Sequence, residues 1–134
     1  SSALNKLGLI LGESKFRDAA LNTLRWARTI IEYNPASHCA FMTSLFETAR
    51  IKYVVIFRGP DEGRRSLRHN CHGHVFESCI FLEIPYGDLK TLPAYLPKIE
   101  PSEAMSASKA YVFDGTSCSP ALHSKDEILN YLGT

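Results

Sequence analysis

The feature that most limits how this chain can fold is a change of hydrophobic period at Ile51. Before it, apolar residues recur at helical spacing. After it, Tyr53-Val54-Val55-Ile56-Phe57 is a short continuous β-rich run, the pattern of a strand covered on both faces. Gly59-Pro60-Asp61 then turns the chain, and Glu62 to about Asn70 reads as a strongly charged, weakly amphipathic helix. Cys79 to Ile84 reads as a second buried strand. Strand, helix and strand over this length imply a parallel pair with a right-handed crossover. The tail adds a third strand, Ala110 to Phe113, followed by Asp114-Gly115, a dipeptide suited to a hairpin that needs positive φ. A further short strand is expected to follow, with Pro120 marking it as an edge. Ser124 and Glu127 form a capping box opening a last helix, Lys125 to Leu132, which Gly133 closes.

Three helices are expected in residues 3 to 49. Leu4, Leu7 and Leu11 share one face of the first, which ends at Gly12. Ser14 is placed to cap the second, Lys15 to Tyr33. That helix carries two apolar stripes: Phe16, Ala20, Leu24, Ala27 and Ile31 on one, Ala19, Thr23, Trp26 and Ile30 on the other. Two stripes predict a helix covered on more than one side. Asn34-Pro35 restarts the chain into a third helix with Phe41, Met42, Leu45 and Phe46. The fold class is therefore α/β: N-terminal helices over 1–50, then a small three- or four-stranded mixed-sheet module over 51–134. Between the second and third strands, residues 85 to 108 hold four prolines and read as an irregular connection, with a turn of helix near Lys90 to Tyr95.

Lys52 to Pro60 (KYVVIFRGP), Cys79 to Pro85 (CIFLEIP) and Ala110 to Pro120 (AYV…C…P) resemble, in that order, the C-terminal end of the thioredoxin-domain-containing proteins related to the spermatogenesis-associated protein. The resemblance covers most of the chain. It implies that residues 1–50 are the terminal helices of an α/α toroid similar to six-hairpin glycosidases and sugar epimerases. It also implies that a thioredoxin-like domain and most of that toroid precede this segment in a larger polypeptide. The start at Ser1-Ser2, with no initiator methionine, agrees with a piece of something longer. Relatives often carry a cysteine after AYV and another five residues later. Here the first position is Phe113, leaving Cys118 alone, and one thiol cannot close a local disulfide.

Composition excludes several classes of function. Fifteen basic and fourteen acidic residues leave a net charge of +1, so no global field draws the chain to nucleic acid or an anionic membrane. No apolar run approaches the ~20 residues of a membrane helix. Cys39, Cys71, Cys79 and Cys118 form no CxxC pair and read as reduced thiols of a cytoplasmic protein.

The most site-like stretch is His69-Asn70-Cys71-His72-Gly73-His74. Imidazole and thiolate suit zinc or copper, and His69, Cys71, His72 and His74 lie within six residues. A tetrahedral site takes a second ligand pair from another element, and none is offered, so a polar helix end is the plainer reading. Arg58, Arg64, Arg65 and Arg68 cluster about the first strand–helix turn, where Gly59, Gly63 and a helix N-terminus suggest a phosphate seat. Asp61 and Glu62 put negative charge in that seat, and a solvated charged face is the better account. A ligand, if bound, belongs at the C-terminal ends of Phe57 and Ile84. No catalytic residue and no cofactor is assigned. The sequence reads as a non-catalytic structural segment that packs on upstream domains of its own polypeptide, with self-association through residues 16–46 when those are missing. The alternatives are part of a carbohydrate-active toroid enzyme and a thioredoxin-like redox module.

Overall fold

The computed structural model describes residues 2–84 and 107–133, with His74 described by its backbone alone. The connection through Pro85, Pro93, Pro97 and Pro101 and the helical turn expected near Lys90 to Tyr95 lie outside the described residues. Three helices, α1 (Ser2–Leu11), α2 (Ser14–Tyr33) and α3 (Cys39–Arg50), precede β1 (Tyr53–Arg58). Then come α4 (Asp61–Asn70), β2 (Cys79–Ile84), β3 (Lys109–Phe113) and α5 (Lys125–Tyr131), with single 3-10 turns at Pro35–His38 and His74–Ser78. This is the α/β class read from the sequence.

The strands form one mixed sheet in the order β2-β1-β3. β1 runs parallel to β2, Tyr53 opposite Cys79 through Arg58 opposite Ile84, with α4 as the crossover. β3 is antiparallel to β1, with Val54 opposite Phe113 and Arg58 opposite Lys109. Alternation along the strands sends successive side chains to opposite faces and makes two cores. Val55, Phe57, Ala110 and Val112 pack with Leu67 of α4, Cys71 just after it, Phe76, Leu122, and Ile128 of α5. Val54, Ile56, Tyr111 and Phe113 pack on the other face with Leu9 of α1. The N-terminal helices and the sheet thus share a core through α1.

The buried face of α1 is not the leucine row. Asn5, Gly8 and Leu9 are buried, whereas Leu7 is exposed. Gly8 sets this face: a Cβ there would lie 2.5 Å from Arg17 Cγ and 3.0 Å from the Arg17 amide nitrogen, so its bare backbone lets α2 approach. Ser14 is the first residue of α2 and not its cap; Glu13 holds that position without a side-chain bond. One stripe of α2 is buried at Ala20, Leu24 and Ala27, while Trp26 on the other is 67% exposed. Pro35 stands at the first position of its 3-10 turn, as expected from its fixed φ.

β1 is buried from Val54 to Arg58. β2, expected to be equally covered, is only half-buried at all six positions, and among the described residues it has a strand on one side alone. After β3 the chain does turn at Asp114-Gly115, with Gly115 at φ +96°. The return pairs with β3 through two isolated bridges, Phe113 with Cys118 and Ala110 with Leu122, not through a continuous strand. Ser124 caps α5, its Oγ accepting from the Glu127 amide at 3.3 Å. The Glu127 carboxylate reaches one residue past the cap, to the His123 amide at 2.7 Å.

Candidate functional site

The crevice expected at the C-terminal end of β1 is built from the Gly59 turn, the start of α4 and Glu83 near the end of β2. Gly59 has φ +134°, a conformation that favours glycine. A Cβ at Gly59 would stand 2.7 Å from Ser108 Cα, and one at Gly63 2.3 Å from Ser108 Oγ. The two glycines offered by the sequence as a phosphate cradle are therefore filled by the segment that enters β3. Asp61 and Glu62 occupy the first turn of α4, where their charge suits the helix dipole and opposes an anion.

The arginine cluster divides into two buried members and two exposed ones, instead of the uniform solvated face expected. Arg58 and Arg64 are buried, whereas Arg65 and Arg68 lie on the outer side of α4. Arg64 folds back over its own turn. Its Nη1 donates to the Gly59 carbonyl at 3.2 Å, and its guanidinium pairs with Asp61 at 2.8 Å and Glu83 at 3.6 Å. Arg68 also donates to Glu83, at 2.9 Å. Burying a guanidinium demands such compensation, and the carbonyl and two carboxylates supply it. This network ties α4 to β2 across the parallel pair. Its sequence signal was only the coincidence of Glu83 on a strand with arginines one helical turn apart.

The candidate metal ligands are held apart by their environments. Cys71 is buried in the core with Leu67 and Phe76, while His69 and His72 are exposed at the end of α4. His72 Nδ1 lies 3.1 Å from the His69 carbonyl, a local helix-end contact. The His74 side chain lies outside the described residues. Among the described residues no three His, Cys, Asp or Glu side chains gather as a metal-ligand set.

The thiols of Cys71, Cys79 and Cys118 are shifted away from reactivity. Burial pushes the Cys79 thiol up to about 11, with a smaller upward push from neighbouring Cys71. Burial also raises Cys71, and burial together with the charge of Asp114 raises Cys118. A nucleophilic or redox-active cysteine needs the opposite shift. Cys39 is exposed on α3, with its sulfur 3.4 Å from the Ala36 carbonyl.

Grooves cut the described surface. One, about 750 Å³, runs between α4 and the segment entering β3, past Gly63, Ser66, Asn70, Ser108 and His123. Among the described residues its lining holds one carboxylate, Glu62, and one imidazole, His123. A second, about 390 Å³, lies between α2 and α3, floored by Leu21, Leu24, Ile31 and Leu45 and rimmed by Arg25, Arg28 and Glu32. A third, about 450 Å³, lies between the outer face of α4 and β2.

The helical layer exposes large apolar side chains, Leu21 at 42% and Leu45 at 48% in the second groove and Trp26 at 67%, Tyr33 at 95% and Phe46 at 63% outside its lining. Helical spacing suggests a core position for Trp26 and Phe46; both are instead mostly exposed, with the Arg50 guanidinium 5.5 Å from the Phe46 ring centroid. Among the described residues no helix is long and apolar enough to cross a membrane. Comparison with protein-family models, with curated proteins and with solved structures finds no match.

Proposed function

We propose that this chain is a non-catalytic structural segment of a larger cytoplasmic protein, seated on that protein's neighbouring helices through the exposed face of α2 and α3. The apolar groove between α2 and α3, with Leu21 and Leu45 exposed in it and Trp26 and Phe46 exposed on the same two helices, carries the reading. An exposed apolar groove floored by Leu21, Leu24, Ile31 and Leu45 suits an interaction site, and a rim of Arg25, Arg28 and Glu32 is the polar border such an interface takes. The occupant that fits is a further amphipathic helix lying antiparallel to α2, as in a helical toroid. The sequence resemblance to the thioredoxin-domain-containing, spermatogenesis-associated family supplies such a neighbour upstream. Neither nucleic acid nor membrane enters this reading.

The raised thiols favour a packing role over a redox one. Light scattering on the isolated 134-residue chain tests the proposal. Self-association that strengthens with concentration, and that Trp26→Ser with Phe46→Ser abolishes, is the expected result. A strict monomer at high concentration would remove its support, and so would robust turnover of the chain in an insulin-reduction assay.

A further inference from the structure

The two outer strands of the sheet are finished differently. The outer edge of β3 is occupied: Ala110 and Leu122 exchange amide–carbonyl bonds at 2.8 and 2.9 Å. Ser119 adds two more, its amide donating to the Val112 carbonyl at 2.8 Å and its Oγ accepting from the Val112 amide at 2.9 Å. β2 has a strand on one side only among the described residues, and all six of its residues are half-exposed. An exposed strand edge presents a row of backbone donors and acceptors, and proteins blunt such edges with lysine, proline or a bulge. The strand Cys79-Ile80-Phe81-Leu82-Glu83-Ile84 has neither lysine nor proline.

Beside that edge runs the groove of about 450 Å³, walled by Arg65, Arg68 and His69 of α4 and floored by Phe81 and Glu83. Phe81 is fixed there, edge-on to Phe57 with ring centroids 5.4 Å apart and tilted on Phe76 at 5.8 Å. Glu83 is already engaged by Arg64 and Arg68. Arg65 has no carboxylate within ion-pair distance among the described residues, so the groove keeps net positive charge. An added strand would direct every second side chain to the α4 side, into this groove.

We infer that β2 is a strand-addition site for an extended peptide of a partner protein whose alternate side chains are acidic. Backbone pairing supplies the affinity, and Arg65 and Arg68 select the charge. A second copy of the chain is a poorer occupant. Two-fold pairing centred on Phe81 would bring both α4 cation rows onto one face.

The test uses a fluorescent peptide of about eight residues alternating glutamate with valine, titrated into the full chain. Expected are saturable binding that weakens with added salt, and binding about tenfold weaker both for the lysine-for-glutamate peptide and for Arg65→Glu. Two further peptides are N-methylated on alternate residues, one for each phase. One should lose binding about tenfold and the other should keep it, because only one phase donates to β2. Arg65 is exposed, so its variant should keep the wild-type circular dichroism. The inference fails if no peptide binds below about 1 mM. It fails equally if both charges bind alike, if both methylated phases bind like the parent, or if Arg65→Glu changes the mass of the chain instead of its peptide affinity.

Discussion

β1 and α3 are both rich in apolar residues, YVVIFR in one and CAFMTSLFETAR in the other, yet they end in opposite environments. β1 is buried at every position after Tyr53, with β2 and β3 on its edges and helices over its faces. α3 has no buried residue, and Phe46 on it is more than half exposed. Composition supplies the potential for burial, and neighbours decide whether it is realised. In this chain the neighbours gather about the sheet, while the outer helical layer stays largely exposed among the described residues.

If the sheet carries the stability, the largest loss should follow truncation where α1 meets it. Leu9 is fully buried, and Leu9→Ala should cost about 3 kcal/mol through lost transfer energy and the cavity left behind. A urea midpoint almost unmoved would mean that α1 and the sheet are stable independently. Gly59→Ala comes next, at about 2 kcal/mol, since the new Cβ meets Ser108 in a backbone conformation that alanine avoids. The same urea titration would read it, and a neutral result would show that the turn relaxes freely.

Ser119→Ala probes the covered edge. It removes the acceptor of the buried Val112 amide and should cost about 1–2 kcal/mol, with faster hydrogen exchange at Val112. Asp114 gives a smaller effect that depends on pH. Burial alone would raise its carboxyl. The backbone and hydroxyl groups of Thr116 and Ser117 donate to it and bring it down to about 2. A depressed folded pKa adds stability above the unfolded value, and that stability fades as pH falls from about 4 towards 2. Asp114 is exposed, so solvent screening leaves about 1 kcal/mol, measurable as the acid-limb difference between wild type and Asp114→Asn. The smallest change belongs to the outer layer: Trp26→Ser and Phe46→Ser should each shift the monomer's stability by less than about 0.5 kcal/mol. A loss of several kcal/mol at either would place that face in the fold's own core and erase the contrast.

The chain's order of helices and strands could be read from period alone, because a strand's two-residue repeat and a helix's longer one are written in consecutive residues. The parallel β1–β2 pair, the turn at Gly115 and the Ser124 cap are of this local kind. What could not be read was which apolar stripe would find a cover. Leu7 and Leu9 look alike in sequence, and the approach of α2 over Gly8 decides between them. Trp26 and Phe46 fit a core by spacing and stand in solvent among the described residues. Arg64, charged and expected outside, is buried because Glu83, Asp61 and a carbonyl converge on it from three places in the chain. Local energies set the elements, whereas burial and pairing depend on contacts between residues far apart in sequence, which only the assembled tertiary structure specifies.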